Sequence, residues 1–217
     1  MRLAIVILAV TITLASPVLA SESDPRYDIG VAFLIDLPQE DFANISGTGG
    51  GIGIKFLRPI GLSLARLRGD FEILFYGEDE HVVEIGGKPA GVITRHESIR
   101  IQGGFELSSP RSRSLRLYVA PMAGFYLFRS VDRVTIYHHR SSTDTEFGWK
   151  VDAGFVITRF VRRHRPHGLG IDFGVSYGTV RNAVKTKVET DIETESKTFE
   201  TDANEFIIHA GLIWHIR

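Results

Sequence analysis

The chain has 217 residues, and its 25 Lys and Arg nearly balance its 26 Asp and Glu. That balance gives no bulk field toward nucleic acid. With no cysteine in the sequence, a disulfide framework and a thiolate metal site are both excluded.

Residues 1–20 read as an export signal peptide. Arg2 is the positive start, Leu3–Leu14 is an apolar run, and Val18-Leu19-Ala20 puts short residues at the cleavage positions. The run is shorter than the roughly 20 residues a spanning helix needs. A barrel domain is then expected over residues 21–217, outside the cytoplasm. No later apolar run reaches spanning length. A β-barrel signals itself by alternation instead.

Alternation with period 2 runs through the chain. The first strand sets Ile29, Val31, Phe33 and Ile35 against Asp28, Gly30, Ala32 and Asp36. The Gly-rich stretch that follows sets Ile52, Ile54 and Phe56 against Gly51, Gly53 and Lys55. It lacks the spacing of a dinucleotide loop and no helical pattern follows, so it reads as a second strand. Its glycines suit a crowded interior or a bulge. The third strand, Ala65–Phe75, alternates Leu67, Phe71 and Ile73 with Arg66, Arg68, Asp70 and Glu72. Five more follow over Ile99–Leu107, Leu115–Leu127, Phe147–Ile157, Leu169–Tyr177 and Phe206–Ile216. Connections alternate long and short, which places every long loop on one side of an up-and-down sheet.

Alternation alone does not say which face points in. A soluble lipocalin-like barrel shows the same period with the faces reversed. The polar face here is rich in glycine, including Gly30, Gly53, Gly104, Gly124, Gly154 and Gly174, as a narrow eight-stranded lumen requires. It carries both signs of charge: Arg66, Arg100, Arg116 and Lys150 against Asp70, Glu72, Glu106, Asp152 and Asp172. These nine residues are expected to form a structural lumen charge network, because charges in a dry lumen must be paired. The apolar face carries aromatics toward strand ends, as interface girdles do. The fold expected is therefore all-β, an eight-stranded antiparallel up-and-down transmembrane β-barrel.

The stretch "VAFLIDLPQEDFANISGTGGGIGIKF" and the aromatic-bearing end "FIIHAGLIWHIR" resemble the small eight-stranded outer-membrane β-barrels of Gram-negative bacteria. The resemblance covers residues 21–217. It implies an outer-membrane location, lipid contact and a monomer. Such barrels usually finish on Phe or Trp, whereas this chain finishes Ile216-Arg217 with Trp214 nearby.

No residue pattern demands chemistry. His138-His139 offers imidazoles for a metal, but neighbours on a strand face opposite ways, so no metal or other cofactor is expected. His96 and Ser98 share a parity, as in lipid-deacylating barrels, but no acid is assignable to orient the histidine. The basic run "VRRHRPH" reads as a periplasmic turn, and "VKTKVETDIETESKTFETDANEF" as a hairpin turning near Glu193–Ser196. The function expected is non-enzymatic: an envelope-structural or surface-interaction barrel whose external hairpins meet a protein or polysaccharide. A narrow pore, a lipid-modifying enzyme and a soluble lipocalin-like binder are the alternatives.

Overall fold

The computed structural model describes residues 27–43, 46–60, 62–85, 88–109, 114–134, 139–158, 167–188 and 197–216. Eight strands run in chain order: β1 (Tyr27–Gln39), β2 (Gly49–Ile60), β3 (Leu62–Ile85), β4 (Lys88–Ser108), β5 (Leu115–Val134), β6 (His139–Ile157), β7 (His167–Val188) and β8 (Lys197–Ile216). Each pairs antiparallel with the next, and β1 closes on β8 from Tyr27↔Ile216 to Gln39↔Asn204. Closure matters because an open sheet edge leaves backbone groups unsatisfied in hydrocarbon. The export-signal residues, His138, the basic run over 161–166 and the turn over 193–196 lie outside the described residues.

The alternating apolar side chains point outward. Val31, Phe33, Ile52, Ile54, Phe71, Ile101, Phe125, Phe147, Val151 and Phe173 are all exposed, and Phe33 reaches 77%. On this outer face Phe125 faces Phe147 across its strand pair at 5.8 Å, and Phe155 faces Phe173 at 5.5 Å. Such a continuous apolar belt has no place in water, whereas lipid solvates it.

Ile101 sits within this belt, between Phe71 on β3 and Phe125 on β5. Ile101→Arg is expected to lower stability in a bilayer by about 2–4 kcal/mol. Urea unfolding in lipid vesicles measures this. An unchanged midpoint would mean that the residue faces water.

The long strands extend well past the belt. β3 and β4 stay paired out to Ile85↔Lys88, β5 and β6 to Arg133↔His139, and β7 and β8 to Val188↔Lys197. Thr, Val and Ile in these segments favour extended backbone. β1 and β2 are shorter, and a four-residue helix, α1 (Glu40–Ala43), lies between them. Sequence reading expected a long connection after the first strand and a glycine-rich, mostly charged inner face, and the structure adds a helical turn to the first and an apolar layer to the second. Phe42 of α1 is only 2% exposed, packed edge-on against Tyr76 at 5.6 Å and Phe128 at 5.9 Å. With Leu34, Leu74, Tyr126, Val180, Ala203 and Ile207 these side chains form an apolar layer inside the barrel. It replaces water at the mouth, where unpaired charges would be costly.

Candidate functional site

Below that layer the lumen is filled with charge. All nine residues expected there are buried: Arg66, Asp70, Glu72, Arg100, Glu106, Arg116, Lys150, Asp152 and Asp172. Asp28, Asp36, Lys55, Arg68 and Glu205 are buried beside them, with His209 and His215.

At the end where β1 begins and β8 finishes, Asp28 gathers Arg66 at 2.9 Å, Arg116 at 3.4 Å and His215 Nδ1 at 2.9 Å. Glu106 lies 3.6 Å from both Arg66 and Arg68, so it links this cluster to the next. In the middle, Arg68 donates two hydrogen bonds to Asp70, at 2.9 and 2.8 Å, and reaches Asp152 at 2.5 Å. Such forked arginine–carboxylate bonds are the strong form of the ion pair. Lys150 bridges Asp70 at 3.2 Å and also donates to Glu72. Lys55 donates across the lumen to Asp172. At the opposite end, Arg100 meets Glu72 at 3.8 Å, Asp36 at 2.9 Å and Glu205 at 2.5 Å. Tyr76 donates to Asp36 at 2.7 Å. The pairs thus run unbroken along the barrel axis, from Asp28 to Glu205.

Arg66 and Glu106 are direct register partners, as are Glu72 and Arg100. Asp70 and Arg100 do not meet. Their bonds go instead to Lys150 and Arg68, and to Asp36 and Glu205. Most of the residues that sequence reasoning left out of the network, Asp28, Asp36, Lys55, His209 and His215, share its polar parity. Glu205 stands just before the strand start that alternation supplied.

Glycines give the large side chains room. Tyr118, Gly154, Gly174 and His209 form one register row across β5 to β8. The Tyr118 ring spans both glycines, and its hydroxyl lies 2.9 Å from His209 Nε2 and donates to Asp172 at 3.1 Å. A Cβ on Gly174 would stand 2.7 Å from that hydroxyl and 2.5 Å from the His209 ring. Gly174→Ala is therefore expected to displace Tyr118 and to cost about 1–3 kcal/mol. A denaturation midpoint equal to wild type would mean that the row is looser than described. In the Gly-rich stretch, Gly49 has a related role, since a Cβ there would lie 2.8 Å from the Tyr76 ring.

The lumen leaves a void of about 20 Å³ beside Lys55, Asp70, Lys150, Asp152 and His209. That is room for about one water. The histidines and carboxylates do not cluster as a metal site among the described residues. His96 bonds Ser130 at 2.9 Å, while Ser98 accepts from Arg100 at 3.1 Å. Each of the two residues of the deacylase reading thus has a partner on other side chains.

A closed eight-stranded barrel with lipid-facing side chains outside and ion pairs inside has the architecture of the small outer-membrane β-barrels. Two solved structures share it. Ail, the attachment invasion locus protein of Yersinia pestis, in complex with the heparin analogue sucrose octasulfate, matches with a TM-score of 0.54 and 12% identity, over 88% of this chain and 99% of that one. Neisserial surface protein A matches with the same score and identity, over 88% of this chain and 97% of that one. At that identity the likeness is one of fold. No protein-family model matches the sequence, and no curated protein matches it.

Proposed function

We propose that this chain is exported by residues 1–20 and resides in the outer membrane as a non-enzymatic, non-conducting barrel. Its protruding strands meet partners at the cell surface. The observation that carries this reading is the inverted facing: ion pairs span the interior while the outer face is apolar. An interior packed with buried, paired Arg, Lys, Asp and Glu leaves little room for water, which favours a plug over a pore. The strands that reach past the belt are rich in Thr, Glu, Asp, Lys and Arg in sequence. Surface contact also agrees with what Ail's structure holds, a sulfated sugar.

Two measurements test the reading. Cell fractionation is expected to recover the protein with the outer membrane, and recovery in the soluble periplasm would refute it. In planar bilayers the intact barrel is expected to give no steady discrete openings, and their appearance would establish a pore.

A further inference from the structure

Among the described residues the lumen buries eight carboxylates of Asp and Glu against six Lys and Arg. Two negative charges are left over, in a space where an uncompensated charge is heavily penalised. Local pairing shows where one of them falls. Lys55 takes Asp172, Arg68 forks onto Asp70, and Lys150 serves Glu72. At the mouth a single cation, Arg100, faces both Asp36 at 2.9 Å and Glu205 at 2.5 Å, and both carboxylates lie on the same nitrogen, Nη2. The other groups around the pair bring no positive charge. Glu72 and Tyr76 face it from β3 and Tyr126 from β5, and the register partner of Glu205 on β7 is Gly178.

One oxygen of each carboxylate, Asp36 Oδ1 and Glu205 Oε1, accepts no hydrogen bond among the described residues, although Asp36 is 0% exposed and Glu205 1%. The two side chains stand within hydrogen-bond reach of each other. Two buried carboxylates sharing one guanidinium repel unless a proton lies between them. A proton needs no space of its own, and the lumen's void of about 20 Å³ is lined by Lys55, Asp152 and His209 rather than by this pair.

The position gives such a proton a structural role. Asp36 is on β1 and Glu205 on β8, the two strands that close the barrel. Their register partners are Ile207 and Pro38, so they are diagonal neighbours across the seam, close to its last pair, Gln39↔Asn204. Pro38 has no N–H to give the seam a backbone bond there. Beside them Asn204 holds Glu40 of α1, whose Phe42 covers the mouth.

We propose that Glu205 is a proton-binding site: it holds a proton at neutral pH and donates it to Asp36, so that an acid–carboxylate bond latches β1 to β8 beneath α1. Release of the proton leaves two carboxylates on Arg100, and loosens the end of the seam and the α1 seated on it. Near neutral pH a free carboxyl is ionised, so the folded chain binds one proton more than the unfolded chain. The latch's contribution to stability is therefore full below the ordinary glutamate range, about pH 4.3, and declines as pH rises until the folded chain gives the proton up. The latch stands whatever meets the protruding strands.

The test uses the full chain in lipid nanodiscs and infrared spectroscopy in heavy water. Near neutral pH a carbonyl band of a protonated carboxylic acid is expected. It should shift when the glutamates carry an isotope-labelled carboxyl and stay when the aspartates do. It should vanish in Glu205→Gln, whose amide keeps a donor for Asp36. Between about pH 6 and about pH 8, the wild-type unfolding constant is expected to rise about tenfold per pH unit relative to that of Glu205→Gln, the slope of one extra bound proton. The proposal is overturned if no such band is present, if labelled aspartate shifts it, or if Glu205→Gln leaves it unchanged, which would put the proton elsewhere. It is also overturned if the unfolding midpoint follows sodium at fixed ionic strength and ignores pH, which would mark a metal cation in the proton's place. The labelled wild-type spectra decide the matter even if Glu205→Gln does not fold.

Discussion

Arg100→Ala is expected to lower the unfolding free energy by about 3–5 kcal/mol. Arg100 is fully buried and holds Asp36 at 2.9 Å and Glu205 at 2.5 Å, with Glu72 at 3.8 Å. Removing the guanidinium leaves Asp36 and Glu205 facing each other without the cation between them, while Glu72 keeps Lys150. Ser98 and the Tyr76 hydroxyl also lose a partner. Most of the loss is this orphaned charge rather than the worth of the pairs themselves. A control follows from that distinction. Arg100→Met combined with Asp36→Asn and Glu205→Gln removes the repulsion along with the attraction, and is expected to recover part of the stability. Guanidinium unfolding in detergent micelles measures both variants. A single variant with the wild-type midpoint would mean that water already screens the cluster. A triple variant no better than the single one would mean that packing, not charge, dominates there.

The second large effect is expected at the mouth. Phe42→Ala should cost about 3–5 kcal/mol, the range for deleting a buried phenyl ring. The ring packs edge-on against Tyr76 and Phe128, and it covers the apolar layer over Arg100. The loop that carries it is anchored by Asn204, which donates to Glu40 at 2.5 Å. Glu40 itself has a φ of 54°, a strained value for a residue with a side chain. Phe42→Leu refills most of the volume and should cost less than the alanine. Equal losses from both would show that the aromatic edge contacts carry the energy. No loss from either would show that α1 is not seated on the barrel.

Much of this fold is legible in the sequence, because a barrel wall has a side-chain period of 2. Arg66, Asp70 and Glu72 on one parity and Leu67, Phe71 and Ile73 on the other already define two faces of β3. What alternation cannot give is the partner of each charge. Lys55 stands opposite Asp70 in register but donates to Asp172 on the far wall, since its long side chain crosses a narrow lumen. The register shift between Pro59 and Ile60, from a partner at Arg66 to one at Leu62, is likewise invisible to alternation. Phe42 was equally hidden. A single aromatic in a polar connection has no periodicity, and only the position of α1 above Tyr76 reveals its role. Leu34, Leu74 and Ile207 were visible on the polar parity, but the layer they build together appears only once the strands are aligned. The outer ends of the strands break the apolar face with charge, yet their period-2 Thr and Val already read as hairpins that continue the strands beyond the membrane.

The central claim is the direction the two faces point, and single-cysteine labelling in native membranes tests it most directly. The chain has no cysteine of its own to interfere. Val151 and Phe173 are exposed on the outer face at 41% and 39%, whereas Ser176 on the inner face is 4% exposed. A lipid-soluble reagent confined to the bilayer is expected to modify Val151→Cys and Phe173→Cys and to leave Ser176→Cys unmodified. A water-soluble maleimide is expected to modify none of the three. Ready maleimide labelling of Val151→Cys and Phe173→Cys without detergent, with no reaction from the lipid reagent, would place the apolar belt in water and contradict the account.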